Sequence, residues 1–241
     1  MTGNATTQKM RSHTSCRTFL DKPVPAALID EILDCAQMSS SSCFLQVTSI
    51  IRVTDQTKKE AIAQGCKQPW VALAPEFWVF CADFHRDGLL CEKPALGWTD
   101  HFLVGCLDTG IMVQSAMTAL ESLGLGGCFV GGIRDCGELV TELLALPDNT
   151  VALLGLAFGY PKLINEIKPR LPREAVFMEN EYRDPAPGVI DRYDETMREY
   201  YSTRTHSKKA CGWSEQLEEI INREKRAYLL EHLKRRGWLE K

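Results

Sequence analysis

The sequence lacks a strong excess of either charge. Its 241 residues contain 28 Lys and Arg against 32 Asp and Glu, a formal net charge of −4 at pH 7. Nucleic-acid binding usually requires a pronounced basic surface, so we expect no nucleic-acid partner. The hydrophobic fraction of 44% and the charged fraction of 25% are typical of globular proteins and exclude a mainly disordered or fibrous chain. The length fits one large domain or two small ones.

Common catalytic and metal-binding motifs are also missing. The five histidines do not pair at metal-ligand spacing and no Cys-x-x-Cys occurs, so we expect no metal site. There is no Gly-x-Ser-x-Gly of a hydrolase, no Gly-Lys-Ser/Thr of a P-loop and no Gly-x-Gly-x-x-Gly of a dinucleotide fold. Because no acid–base pair or nucleophile stands out, we assign no catalytic residue.

Cysteine, in contrast, is abundant, with ten residues. Disulfide frameworks are typical of small secreted domains with poor cores, whereas this chain is long enough to build a core. No secretory hydrophobic segment precedes Cys16. We therefore expect free thiols in a reducing, cytoplasmic compartment. Several of them, such as Cys81 and Cys106, lie in apolar runs and are predicted to be small buried side chains.

No apolar run is long enough to favour a membrane span. The longest, Phe102–Leu123, is interrupted by Asp108, Gln114 and Glu121, so we expect a buried core helix and no membrane partner. Residues 1–20 contain no acidic residue and are similar in composition to a transit peptide. The role expected below for residues 13–17 argues against their removal.

Hydrophobic periodicity predicts alternating helices and strands. Helices are predicted near 28–36, 102–123, 138–146, 189–201 and 213–238, and strands near 47–53, 77–81, 126–132 and 151–158. This alternation indicates an α/β or α+β fold. Residues 160–188 are rich in proline and predict an extended arm. The arm and the helices after it either wrap a partner subunit or pack on their own core, and the pattern leaves both open.

Four segments are polar or basic in ways that a core does not require: His13–Arg17, Ser39–Gln46, Phe129–Arg134 and Lys168–Arg173. Arginine binds phosphate through two N–H groups, loop hydroxyls satisfy polar heterocycles, and paired glycines allow close approach to a flat ligand. Each segment alone also fits an ordinary solvated loop. Ligand-contacting residues without an acid–base pair suggest that a bound cofactor carries the chemistry.

Taken together, these segments resemble the oxygen-insensitive NADPH nitroreductases and the related NADPH–flavin oxidoreductases. The family pattern His-Arg-Ser-x-Arg appears as His-Thr-Ser-Cys-Arg at 13–17, and its Ser-rich loop before Phe-Leu-Gln appears at 39–46. Further matches are Glu-Phe-Trp-Val-Phe-Cys-Ala-Asp-Phe at 76–84, Glu-Ser-Leu-Gly-Leu-Gly-Gly at 121–127, Gly-Gly at 131–132, Lys-Pro-Arg-Leu-Pro at 168–172 and Tyr-Tyr-x-Thr-Arg at 200–204. The resemblance extends from about residue 10 to Trp238.

The resemblance implies an α+β flavoprotein with a nitroreductase-like fold, built as a single domain and forming a homodimer. Residues 10–160 would form a central, mainly antiparallel β-sheet wrapped by helices. Residues 161–241 would form an extended arm and C-terminal helices that embrace the partner subunit. FMN would lie at the subunit interface, held by both chains. The implied FMN contacts are His13, Thr14, Ser15, Cys16, Arg17, Ser41, Gln68, Phe129, Val130, Gly131, Gly132, Lys168, Pro169 and Arg170.

The resemblance also implies a reaction. NADPH would pass hydride to FMN and leave before a nitroaromatic, a quinone or free flavin takes its place. Arg204 and Lys209 correspond to positions that meet the NADPH 2′-phosphate, and Phe44 and Arg226 to positions that line the acceptor pocket. The alternatives are a dedicated flavin or quinone reductase, or a flavin- or nucleotide-binding module without enzymatic activity on the same scaffold.

Four residues depart from the family pattern. Thr14 replaces an arginine beside the flavin, Lys209 replaces another arginine, and Cys43 stands where serine is common. Trp70 is expected to change the wall of the acceptor cavity. Lysine lacks the two-pronged geometry of arginine, so these departures concern the substrate range and the preference for NADPH rather than the fold.

Overall fold

The computed structural model describes residues 3–205 and 207–241, which form two compact units. The first contains residues 3–165 together with Arg226–Lys241, and the second is Glu166–Lys225. The expectation of a single domain, with a core at 10–160 and an arm at 161–241, stays a prediction.

The first unit is built around a four-stranded sheet in the order β1-β2-β4-β3, with every neighbouring pair antiparallel. The strands are β1 (Thr48–Arg52), β2 (Glu76–Asp83), β3 (Gly126–Val130) and β4 (Thr150–Gly159). Every residue of β2 is buried, as expected for an apolar run at the centre of a sheet. The antiparallel sheet with helices on its faces confirms the α+β fold class.

The described part of this unit contains eight α-helices. They are α1 (Ala5–Arg11), α2 (Ala26–Gln37), α3 (Gln56–Gly65), α4 (Trp70–Leu73), α5 (His85–Gly88), α6 (Thr99–Ser122), α7 (Gly137–Leu143) and α10 (Leu229–Arg235). The sequence analysis did not predict α1, α3, α4 or α5. These helices are short, and none presents a run of apolar residues long enough to show helical periodicity.

The long helix α6 packs against α2 and the sheet through Val113, Ala116, Met117 and Leu120. The helix ends at Ser122, and the chain then turns at Gly124, whose φ of +81° suits a residue without a Cβ. Its opposite face leaves Leu103, Leu107 and Ile111 exposed. Within the described residues α6 is the one helix long and apolar enough to cross a membrane, and 39% of its most apolar window is buried.

The predicted single helix at 213–238 is wrong. The structure has α9 (Trp213–Ile221) in the second unit and α10 in the first, separated by residues 222–228. Arg226 has a φ of +57°, which a right-handed helix cannot contain. The separating residues Asn-Arg-Glu-Lys-Arg-Ala-Tyr carry no large aliphatic side chain to continue the apolar stripe, so burial does not favour a helix there.

The second unit has α8 (Val189–Thr203) and α9 packed on a small core of Tyr193, Met197 and Tyr201. Residues 166–188 contain only a short 3₁₀ turn at Arg173–Ala175, in keeping with the predicted extended arm. Its side chains include the exposed Val176, Phe177 and Tyr182.

All ten cysteines lie within the described residues and are free thiols. Cys81 is fully buried, and this burial raises the pKa of its thiol to about 12. Cys106 is only partly buried, and Cys35, Cys43 and Cys91 are exposed. The expectation of small buried side chains therefore holds for Cys81 but is only partly met by Cys106.

Candidate functional site

The His13–Arg17 segment is fixed along strand β3. The backbone N–H of Cys16 donates to the Gly127 carbonyl at 2.9 Å. The buried Cys16 side chain packs on Gly126, where an added Cβ would lie 2.9 Å from the Cys16 Cβ. Gly126 is therefore required for this close approach, and Cys16 acts as an anchor rather than an exposed ligand group. Burial raises the pKa of the Cys16 thiol, which keeps it neutral.

The residues before Cys16 are held by polar contacts to other parts of the first unit. His13 Nδ1 lies 2.7 Å from Glu121 Oε1 near the end of α6. The Ser15 carbonyl accepts a hydrogen bond from Asn165 Nδ2 at 2.8 Å. Thr14 lies between these two anchored residues. The segment is thus positioned before any ligand binds.

Arg17 is a cation without a carboxylate partner among the residues that the structure describes. Its guanidinium lies 5.8 Å from the centre of the Trp70 ring. Trp70 Nε1 donates to Gln68 Oε1 at 2.6 Å, which directs the amide NH₂ of Gln68 away from the tryptophan. Trp70 thus supports two predicted flavin contacts, a role that the sequence analysis did not assign to it.

The glycines after β3 differ in their surroundings. A Cβ on Gly132 would lie 3.0 Å from the Cys66 carbonyl oxygen, so Gly132 allows a close backbone contact. A Cβ on Gly131 would meet only Arg134 Nη2, at 3.5 Å, so the space before it is nearly open. Arg226 Nη2 donates to the Gly131 carbonyl at 3.4 Å, and Arg226 Nε lies 2.7 Å from Asp135 Oδ1.

The first unit therefore brings these residues together along β3 and just beyond its end, and we call them the β3 site: His13–Arg17, Gln68, Phe129–Gly132 and Arg226. It offers an uncompensated guanidinium, an oriented amide and an open glycine backbone. Such a donor set suits a flat, anionic heterocycle, because the cation meets a phosphate and the amide meets ring carbonyls or nitrogens. The residues of the β3 site thus fit FMN.

Ser41 and Phe44 lie at a different place in the first unit. The Ser41 hydroxyl donates to Asp108 Oδ2 at 2.6 Å and accepts from the Gln46 N–H at 2.6 Å, so it fixes its own loop. Phe44 is 79% exposed and has a φ of +58°. Both residues line a cavity of about 800 Å³, and no described contact connects them with the β3 site.

Lys168, Pro169 and Arg170 belong to the second unit. Lys168 Nζ lies 5.4 Å from the centre of the Tyr201 ring, and Lys209 Nζ lies 5.5 Å from it. Burial alone would raise the pKa of Tyr201, but a hydrogen bond with Lys168 and the charges of both lysines lower it. Arg170 Nη1 donates to the Lys168 carbonyl at 2.6 Å, and the Tyr193 hydroxyl donates to the Pro169 carbonyl at 3.1 Å. Lys168, predicted to contact FMN, and Lys209, predicted to contact NADPH, thus both lie beside the ring of Tyr201.

Arg204 lies at the end of α8. Its guanidinium is 5.5 Å from the centre of the Tyr200 ring, and its Nε is 3.9 Å from Glu166 Oε2. The other oxygen of Glu166 accepts from the Thr205 N–H at 3.1 Å and from the Thr205 hydroxyl at 2.9 Å. The N–H groups of Glu166 itself and of Thr205, with the Thr205 hydroxyl, lower the pKa of Glu166 to about 2. Glu166 is therefore ionised at neutral pH.

Four acidic residues that lie against the predicted site residues were not predicted from the sequence. Glu121 holds His13, Asp108 holds Ser41, Asp135 holds Arg226, and Glu166 lies beside Arg204. For Asp108 and Glu121 a signal existed, since both lie on an otherwise apolar helix and a buried carboxylate needs partners. Asp135 and Glu166 lie in polar segments, where a carboxylate carries no such signal.

The comparisons with known proteins concern the family of the chain. Residues 10–160 match the nitroreductase family, and residues 168–241 match the nitroreductase family C-terminal domain. An oxygen-insensitive NADPH nitroreductase from Salmonella typhimurium is 44% identical over 97% of this chain and 98% of its own length.

Two solved structures have the same fold. The nitroreductase A of Vibrio parahaemolyticus superposes with a TM-score of 0.94 at 38% identity, covering 99% of this chain and 100% of that one. The NADPH:FMN oxidoreductase of Vibrio harveyi, solved with NAD⁺, gives 0.93 at 36% identity with the same coverage. The chain therefore belongs to the nitroreductase family.

Proposed function

We propose that this protein is an FMN-dependent NADPH oxidoreductase that reduces small-molecule acceptors, namely nitroaromatics, quinones or free flavin. The observation that carries the proposal is the β3 site, which combines the uncompensated guanidinium of Arg17, the oriented amide of Gln68 and the open backbone of Gly131. The names of similar proteins, which include an NADPH nitroreductase, an NADPH–flavin oxidoreductase and an FMN reductase, support it.

The chain's own residues would bind and orient the reactants. Arg17 would hold the phosphate of FMN, Gln68 would bind the polar edge of its ring, and Gly131 and Gly132 would let the backbone lie close to the ring. When bound, FMN supplies the hydride chemistry between NADPH and the acceptor. Nearby cations and N–H groups would stabilise negative charge on the cofactor. No general acid is assigned.

Ser41, Phe44, Lys168, Pro169 and Arg170 would complete the site in a homodimer. The reason is that Ser41 and Phe44 are not connected with the β3 site within one chain, whereas a second copy can bring the same residues to it. The exposed apolar face of α6 and the exposed side chains of the arm, such as Phe177, support such an assembly. We also expect a cytoplasmic protein without a membrane or nucleic-acid partner.

Absorbance spectroscopy tests the activity. The purified protein, loaded with FMN, is expected to be yellow, to lose its colour anaerobically with NADPH and to regain it with a nitro compound. A protein that cannot be loaded with FMN would contradict the flavin proposal. Yellow protein that NADPH does not bleach would favour the binding module, and relative kcat/KM values for nitro, quinone and flavin acceptors separate the reductase alternatives.

Arg204 and Lys209 are the proposed contacts of the NADPH 2′-phosphate. We expect Arg204→Ala to raise the KM for NADPH by roughly tenfold and to leave the KM for NADH nearly unchanged, because a charge-assisted hydrogen bond contributes about 1.5 kcal/mol. The matched control is Arg192→Ala, an exposed arginine on the same helix that pairs with Glu174. Equal effects of Arg204→Ala on both coenzymes would remove the 2′-phosphate role.

A further inference from the structure

The second unit contains an anion already placed on the groups that a phosphate needs. The Glu166 carboxylate accepts two hydrogen bonds from Thr205 with one oxygen, and its other oxygen is 3.9 Å from Arg204 Nε. A 2′-phosphate bound by Arg204 requires the same kinds of donor: a guanidinium, a hydroxyl and a backbone N–H. Glu166 thus meets the same kinds of donor as a bound phosphate would.

The contact with Glu166 leaves the Nε–H of Arg204 without a hydrogen bond in the described part of the chain. Its Nε is buried and makes no hydrogen bond with the residues that the structure describes, because 3.9 Å exceeds hydrogen-bond length. The Tyr200 ring beneath it holds the guanidinium in place. Arg204 is therefore held ready for an anion that comes closer than Glu166 does.

A carboxylate and an arginine at one coenzyme site have opposite preferences. In dinucleotide sites generally, an acidic side chain accepts a hydrogen bond from the ribose 2′-hydroxyl of NADH, and an arginine binds the 2′-phosphate of NADPH. The carboxylate repels the phosphate, since both are ionised at neutral pH. A site with both residues should accept both coenzymes and discriminate between them less than one with arginine alone.

We propose that Glu166 is a specificity-determining residue that competes with the 2′-phosphate of NADPH for Arg204 and Thr205. This inference rests on the proposed function. It predicts that NADPH binding displaces the Glu166 carboxylate, and that this displacement reduces the preference of the protein for NADPH over NADH.

The test measures the Kd of 2′-AMP, with 5′-AMP as the comparison, and the KM for both coenzymes in the FMN-loaded protein. Glu166→Gln removes the charge and keeps the shape. Because solvent screens the charge of an exposed carboxylate, the effect should be modest: we expect the Kd of 2′-AMP and the KM for NADPH to fall roughly two- to fivefold. Binding of 5′-AMP should not change, and the NADH KM should stay the same or rise. The matched control is Glu174→Gln, which removes an exposed carboxylate elsewhere in this unit and should alter none of these values.

The outcomes separate this inference from the proposed function. Weaker 2′-AMP binding in Glu166→Gln would overturn it, because the carboxylate would then position Arg204 and Thr205 instead of competing. Unchanged binding in Glu166→Gln, with weaker binding in Arg204→Ala, would reject the inference and leave the NADPH site standing. If 2′-AMP binding is insensitive to Arg204→Ala, the proposed 2′-phosphate site itself is wrong.

Discussion

Individual carboxylates fix the positions of neighbouring polar groups in this protein. Asp194 on α8 is the clearest example in the second unit. It accepts hydrogen bonds from the N–H groups of Trp213 at 2.6 Å and Ser214 at 2.9 Å, and from the Ser214 hydroxyl. These donors belong to the first turn of α9, whose N–H groups have no partner within the helix. Asp194 therefore caps a helix that follows it by 19 residues.

We expect Asp194→Asn to lower the free energy of unfolding by about 1 kcal/mol, because hydrogen bonds to a charged acceptor are stronger than those to an amide. Burial alone would raise the pKa of Asp194, but the hydrogen bonds from Ser214 and Trp213 outweigh it and lower the pKa. The stabilisation is therefore complete above the unfolded-state pKa of about 4 and is lost as the pH falls through the lower folded-state value.

Urea unfolding at several pH values checks this prediction. The difference between the wild type and Asp194→Asn should be largest near neutral pH and should shrink below about pH 4. Glu195→Gln is the control, since the neighbouring Glu195 is exposed and makes no side-chain hydrogen bond in the described structure. A difference that does not depend on pH would show that the Asp194 charge has no part in the cap.

At the scale of elements, the contact of α6 with the sheet depends on Gly105. A Cβ at this position would lie 2.7 Å from the Ala82 Cβ of β2, closer than two such atoms can approach. The helix thus lies directly on the strand, and this close packing places Glu121 beside His13 and Asp108 beside Ser41.

Gly105→Ala should destabilise the protein by about 1–3 kcal/mol, the usual cost of overpacking a core, even though alanine favours a helix. Chemical denaturation of the single variants Gly105→Ala and Ala82→Gly and of the double variant checks the cause. Because Ala82→Gly removes the atom that collides, the double variant should be more stable than the sum of the two single losses indicates. Strictly additive losses would contradict the proposed contact.

At the scale of the whole molecule, one chain leaves its proposed site incomplete. The β3 site and the Ser41–Phe44 loop lie apart in the first unit, and the exposed face of α6 includes Leu107, which is 65% exposed. A twofold assembly that covers this face would exclude water from it.

Leu107→Arg is expected to disrupt the homodimer, since it places a charge in an apolar contact. Sedimentation analysis should give twice the 27.1 kDa chain mass for the wild type and a large fraction of single chains for the variant, together with weaker FMN binding. Leu73→Arg alters a leucine of α4 that is 78% exposed, and it should leave the mass unchanged. A wild type that sediments as a single chain would reject the homodimer.

Much of the fold was predictable because apolar periodicity reports burial along the chain. All four strands and the helices α2, α6, α7 and α8 coincide with predicted segments, and the proline-rich stretch is extended as expected. The prediction failed at the C-terminus, where it continued the apolar pattern of α9 into α10. The backbone turns at Arg226, whose guanidinium binds Asp135 and the Gly131 carbonyl. The local hydrophobic pattern does not report such a contact, because its partners lie far away in the chain.

For the site, the sequence by itself determined which functional groups are available: the cation Arg17, the amide of Gln68, the paired glycines and the basic residues of the second unit. Only the tertiary structure decided which of them meet and which are already engaged. Trp70 orients Gln68, Asp108 binds the Ser41 hydroxyl, and Glu166 lies on the groups that Arg204 and Thr205 present. The physical reason is that residue type fixes charge and hydrogen-bonding capacity, whereas the partner of each group depends on distances between segments far apart in the chain.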